Sequence, residues 1–200
     1  MSNLTIKNIY LTVEASLIPV FFHLLQNGFC INGSVGCTVK SFLCDQMGLT
    51  PEYLAKRIQT IFLDGKPVDD VEKAIVKDGT TLSLSAALPG LVGAVMRKGG
   101  YYAPMRDEIS YKGDSTSAKI QPGTVIMKLF NLPLIELGPL FLERGVFVDQ
   151  GKLKDILTSH AGDFRKECRE SNVNDRQFSF DQLLESDWEN GDIFLQVKTS

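Results

Sequence analysis

Residues 16–32 and 133–149 pass through the same succession of residue types. The first runs Ser16-Leu-Ile-Pro-Val-Phe-Phe-His-Leu-Leu-Gln-Asn-Gly-Phe-Cys-Ile-Asn32. The second runs Pro133-Leu-Ile-Glu-Leu-Gly-Pro-Leu-Phe-Leu-Glu-Arg-Gly-Val-Phe-Val-Asp149. Each has Leu-Ile near its start, an apolar pair, an amide or acid, a glycine, three apolar residues and then Asn or Asp. Each follows a strand-like stretch and precedes an amphipathic helix. Each half then closes through a turn into a strand, Asp78-Gly79 before Leu82 and Asn190-Gly191 before Phe194. This order predicts a duplication, or at least two units of one fold.

Hydrophobic periodicity and turn residues supply the elements. Leu4 to Val13 alternates as a strand. Leu17 to Leu25 is an apolar helical run stopped by Asn27-Gly28, and Phe29-Cys30-Ile31 is a short strand. Thr38 is an N-cap for a helix carrying Val39, Phe42, Leu43 and Met47 and ending at Gly48. Thr50-Pro51-Glu52 starts another helix. Ile61-Phe62-Leu63 is a strand entering Asp64-Gly65, whose residue types suit the positive φ angles of a type I′ hairpin. Thr80 to Ala86 alternates as a half-buried strand. Residues 99–123 hold Gly99, Gly100, Pro104, Gly113, Pro122 and Gly123 and read as a connector, with Ile109 to Tyr111 as a candidate strand. Val125 to Phe130 is a strand, Leu134 to Leu142 a helix and Val146-Phe147-Val148 a strand. One helix runs through Leu153, Ile156, Leu157, His160, Phe164 and Cys168. Phe178 and Phe180 alternate with polar residues, and Ile193 to Val197 is the last strand.

Composition narrows the class. Apolar residues make up 44% and charged residues 22%, which is globular and neither disordered nor fibrous. No apolar run reaches the ~18–20 residues of a membrane span. Residues 1–106 hold 10 basic and 8 acidic groups, and residues 107–200 hold 11 and 16. Neither half has the charge of a nucleic-acid binder, so neither nucleic acid nor membrane is expected as a partner. The N-terminal stretch lacks a basic start followed by an apolar segment, so no secretory signal is expected. A cytoplasmic location with four reduced cysteines follows as the expectation.

The residues Thr38-Val-Lys-Ser-Phe-Leu43 at a helix start, Ile61-Phe-Leu-Asp-Gly-Lys-Pro-Val-Asp-Asp70 at a central turn, and Val76-Lys-Asp-Gly-Thr-Thr-Leu82 entering a strand resemble the β-grasp, or ubiquitin-like, proteins. The likeness is to their sulfur-carrier type, the molybdopterin synthase small subunit and the thiamine-pathway carrier. It covers about residues 3–87, and 124–198 more faintly. The resemblance implies an α+β protein of two β-grasp-like units, each with a mixed sheet packed on a helix. The units span 1–98 and 124–200, with a connector at 99–123. Those carriers act through a C-terminal Gly-Gly. This sequence ends Val197-Lys-Thr-Ser200, so their thiocarboxylate chemistry is not expected.

Motifs of catalysis are missing. Cys30, Cys37 and Cys44 are seven apart, but Gly33 and Gly36 break the segment, and no pair has zinc-site spacing. His23 and His160 lie in apolar surroundings. A Cys–His nucleophile pair has no specific signal. Gly90 to Gly100 lacks the Gly-Lys-Ser/Thr of a phosphate loop. No catalytic, cofactor or metal residue is assigned, and no cofactor is expected. Asp181, Glu185, Asp187, Glu189 and Asp192 around Trp188 read as a solvated face. The partner-binding candidates are Arg97, Lys98, Tyr101, Tyr102, Met105 and Arg106, because Tyr, Met and Arg are enriched at binding surfaces. Leu88, Leu91, Val92, Val95 and Met96 add apolar contact area. The expected function is non-catalytic binding or assembly through a protein partner or self-association. One alternative is a tail-less relative of sulfur carriers that docks on an adenylating or synthase enzyme. The other is an enzyme whose site lies between the units.

Overall fold

The computed structural model describes residues 7–113, 119–188 and 191–200. Leu4, Ile6, the 114–118 stretch of the expected connector, Glu189 and Asn190 lie outside the described residues. In chain order the strands are β1 (Asn8–Val13), β2 (Phe29–Val35), β3 (Thr60–Leu63), β4 (Lys66–Pro67), β5 (Thr81–Ser85), β6 (Gln121–Phe130), β7 (Val146–Asp149), β8 (Cys168–Val173), β9 (Arg176–Gln177) and β10 (Asp192–Thr199). The α-helices are α1 (Phe22–Asn27), α2 (Val39–Ser41), α3 (Pro51–Lys56), α4 (Gly90–Met96), α5 (Asn131–Arg144), α6 (Gln150–Ser159), α7 (Ala161–Glu167) and α8 (Phe180–Leu184). The class is α+β with mixed strand pairing. Among the described residues no helix is long and apolar enough to cross a membrane.

The chain forms two compact units: residues 1–29 with 135–200, and residues 30–134. The sequence reading placed its divisions at 98/99 and 123/124 instead. The reason for the difference is strand pairing across the halves.

In the 30–134 unit the strands lie in the order β4-β3-β5-β6-β2. β5 and β6 are parallel, with Thr81 opposite Ile126 and Ser85 opposite Phe130. β3 is antiparallel to both β4 and β5. Alternation aims Ile61, Leu63, Leu82, Leu84, Met127 and Leu129 to one face, all at most 1% exposed. Val39, Phe42 and Leu43 are buried with them. Thr38 caps α2 by accepting from the Ser41 N–H at 3.1 Å, and Thr50 caps α3 through the Tyr53 N–H at 3.1 Å. The helix does not continue regularly past Ser41: Phe42–Gln46 is a π-helical turn. That turn brings Gln46 to β2, where its amide bonds both the N–H and the C=O of Ser34. A Cβ on Gly33 would stand 3.1 Å from the Phe42 ring, so glycine permits this approach. Asp64 and Gly65 both take positive φ, as the hairpin reading requires.

In the other unit the order is β7-β10-β1-β8-β9. β1 and β10 are parallel, from Asn8 opposite Phe194 to Val13 opposite Thr199. Phe21, Phe164 and Phe180 form an aromatic core, with Phe21–Phe164 edge-on at 5.7 Å and Phe164–Phe180 stacked at 5.2 Å.

Three sequence expectations meet a different structure. The helix expected through Leu153 to Cys168 breaks at His160, whose φ/ψ of −109°/20° leaves the helical region, and Cys168 opens β8. Phe180 lies in α8, because Ser179 and Gln182 form a reciprocal capping box. Ile109 ends a 3-10 helix, Ala103–Ile109, and does not form a strand.

Each unit takes one strand of its parallel pair from the opposite half of the sequence. Residues 1–113 and 119–200, prepared as separate chains, should therefore each lack a cooperative core. Mixing them should restore dispersed amide NMR signals and a single unfolding transition. Two independently folded halves would contradict this pairing.

Candidate functional site

The segment from Leu88 to Ser110 follows β5 in the 30–134 unit and contains α4 and the 3-10 helix. Its interior anchor is Arg106, only 4% exposed. The guanidinium meets the Asp69 carboxylate in a two-pronged pair, Nη1 to Oδ2 at 2.9 Å and Nη2 to Oδ1 at 2.8 Å. Nε donates to the Val95 carbonyl at 2.7 Å, Nη1 also to Ser110 Oγ at 2.6 Å, and Nη2 to the Arg97 carbonyl at 3.3 Å. Asp69 Oδ1 also accepts from the Gly99 N–H at 3.0 Å. One side chain thus ties α4, its exit turn and the 3-10 helix to the loop after β4. A planar fork with several donors suits arginine and not lysine.

Glycine makes the fold-back possible. A Cβ on Gly93 would fall 1.8 Å from the Leu88 carbonyl oxygen. Lys98 closes the segment against its unit: its N–H donates to the Gln59 carbonyl at 2.8 Å, and Nζ to the Leu54 carbonyl at 3.1 Å. Burial pushes the Lys98 ammonium below its ordinary pKa.

The outer side of the segment is apolar. Tyr101 is 91% exposed and Met105 73%, and Leu91, Val92, Tyr102 and Ile109 are exposed as well. The Tyr101 and Tyr102 rings pack edge-on at 5.1 Å. Of the six residues named from the sequence, Arg97, Tyr101, Tyr102 and Met105 face solvent and Lys98 is half-buried. Arg106 faces inward and is a clamp. Asp69 and Ile109 had no signal in the sequence, since the acid lies 37 residues before its arginine.

The other candidate groups are placed as follows. His23 and His160 line one shallow cavity of about 420 Å³ with Lys152, Asp155 and Ser159, and no cysteine is part of it. Cys37, Cys44 and Cys168 are free thiols. Burial raises the pKa of Cys37, Cys44 and Cys168. Among the described residues no three His, Cys, Asp or Glu side chains are grouped to hold a metal ion. Of the C-terminal acids, Asp181 pairs with Arg165 at 2.8 Å, and Trp188 Nε1 donates to the Leu183 carbonyl at 3.2 Å.

No protein-family model, curated protein or solved structure matches this chain.

Replacing Asp69 by Ala leaves a buried guanidinium without its counter-ion. Breaking a buried pair costs about 3–5 kcal/mol, and the partial hydration of this carboxylate lowers the expected loss to about 2–3 kcal/mol. Urea unfolding should show it. Amide hydrogen exchange should accelerate first across residues 90–110.

Proposed function

We propose that this chain is a non-catalytic binding or assembly protein that docks a protein partner on the outer side of the Leu88–Ser110 segment. The observation that carries the reading is the combination of six exposed large apolar side chains with a buried arginine clamp beneath them. Large exposed apolar groups on a firmly held segment are the usual signature of an interaction site. A pre-ordered segment loses little conformational entropy on association. Arg97 is exposed at the end of α4 and Asp107 and Glu108 on the 3-10 helix, so the rim of this surface carries both signs of charge.

Two β-grasp-like units are part of the same proposal. One unit has a parallel central pair, β1 with β10, flanked by antiparallel β8 and β7, and the other has a parallel pair, β5 with β6, with antiparallel β3 beside β5, which supports that reading. The matching order of elements supports duplication. Strand, helix, strand, helix and two-strand hairpin run from β1 to β4 and again from β6 to β9, and β5 and β10 close the two series. The raised thiol pKa values argue against Cys37 and Cys168 as nucleophiles, since a protonated thiol is a poor one. A relative of sulfur carriers is the specific form of this proposal in which the partner is an adenylating or synthase enzyme. The strand pattern of the units favours it.

The test is a triple variant, Leu91→Ser, Tyr101→Ser and Met105→Ser, compared with Lys152→Ser in the other unit. Proteins crosslinked to the wild-type chain in extract of its native cells should be lost with the triple variant and kept with the control. Circular dichroism should be unchanged in both. Retention of every partner by the triple variant would reject the surface.

A further inference from the structure

The strand face opposite the core of the 30–134 unit holds a cavity of about 360 Å³. Its walls are Phe62 on β3, Ser83 and Ser85 on β5, Leu88, Phe130 on β6 and Asn131. The size is at the small end of the ~300–1,000 Å³ typical of ligand pockets, and the lining is of the usual kind, apolar with a few convergent polar groups. Asn131 has a φ of 55°, a left-handed conformation that non-glycine residues rarely hold. In that conformation its Nδ2 donates to Ser85 Oγ at 2.9 Å. Thr60 stands opposite Ser85 in the ladder, on the same face. It is fully buried, and its Oγ1 has no hydrogen-bond partner among the described residues.

A charge stands beside this cavity. Lys128 is paired in register with Ser83 and lies two residues before Phe130, so alternation puts it on the cavity's face about 6.6 Å along the strand. Among the described residues its side chain has no carboxylate or other hydrogen-bond partner. Apolar walls, the Ser83 and Ser85 hydroxyls and, at the margin, an ammonium with no carboxylate partner among the described residues are complementary to one chemistry.

We propose that this cavity binds a small amphipathic carboxylate: a compact apolar body against Phe62, Phe130 and Leu88, with its carboxylate on the Lys128 ammonium and the Ser83 hydroxyl. No bond is made or broken. The proposal does not rest on the docking surface: Leu88 alone is common to the cavity and the docking segment, and none of Leu91, Tyr101 or Met105 lines the cavity.

The test titrates 3-phenylpropionate, its amide 3-phenylpropionamide, and N-acetyl-Gly-Gly-Phe with a free C-terminus into the full-length protein, followed by amide NMR. The acid is expected to shift the signals of Phe62, Ser83, Ser85 and Phe130 and to bind about tenfold more tightly than the amide, the equivalent of one charge-assisted hydrogen bond. Lys128→Met should erase that preference while leaving the fold intact. Ser83→Leu, which fills the cavity, should weaken acid and amide alike. No shift with the acid, equal binding of acid and amide to the wild type, or an unchanged preference in Lys128→Met would each overturn the proposal. Tighter binding of the peptide than of the free acid would also overturn it, by assigning the cavity to a protein terminus.

Discussion

The parallel pairing of β1 with β10 joins strands from opposite ends of the described chain, and much of the architecture depends on it. Asn8 to Val13 cannot be buried until Phe194 to Thr199 is in place, and β8 then pairs on the other side of β1. The β5–β6 pairing imposes a similar condition on the 30–134 unit, where Gln121–Phe130 comes from the second half of the sequence. Parallel strands need long crossover connections. Here those connections carry whole helices and hairpins. Loop-closure entropy must be lost before such distant contacts form, so folding is expected to be slow and to involve both halves at once.

The local elements were legible because their signals are local. Thr38, Thr50 and Gly48 mark helix ends through hydrogen bonds and φ values that depend on immediate neighbours. Asp64-Gly65 behaves likewise. The failures have physical causes too. Apolar spacing continues through His160, so periodicity alone gives no sign of the break. Ser179 and Gln182 have the spacing of a capping box, and that signal marks the start of α8 where alternation suggested a strand. α4 begins at Gly90 and holds Gly93, which lower helix propensity. It forms because the glycine lets the chain pack on Leu88. Long-range pairing leaves no local trace, because the alternation within β1 and β6 is the same whichever strand each pairs with. The matching element order was visible, and the unit boundaries were not.

The candidate site divides in the same way. Tyr101, Tyr102 and Met105 stood out by residue type, and the structure leaves them exposed. Arg106 stood out for the same reason, but a positive charge in a glycine-rich stretch gives no indication of a carboxylate far back in the chain. The cavity residues Phe62, Ser83 and Phe130 are ordinary strand residues in sequence. They become a site only when three strands align.

The Arg106–Asp69 pair also explains why the segment does not collapse onto its own unit. Six large apolar side chains on a flexible loop would lower their free energy by folding inward, at roughly 25 cal/mol for each Å² of apolar area hidden. The clamp opposes that outcome geometrically. Its guanidinium binds carbonyls at Val95 and Arg97 and the hydroxyl of Ser110, so the backbone on both sides of the turn is fixed before the apolar groups can rearrange. A buried ion pair contributes little net stability compared with apolar packing of the same volume. It does impose direction, because a planar fork accepts only one arrangement of partners. An apolar residue at position 106 would bury as readily but would not orient the segment. Arginine here is therefore better understood as selecting one conformation, in which Leu91, Tyr101 and Met105 remain in water, than as adding stability. That is the conformation which the proposed docking surface requires.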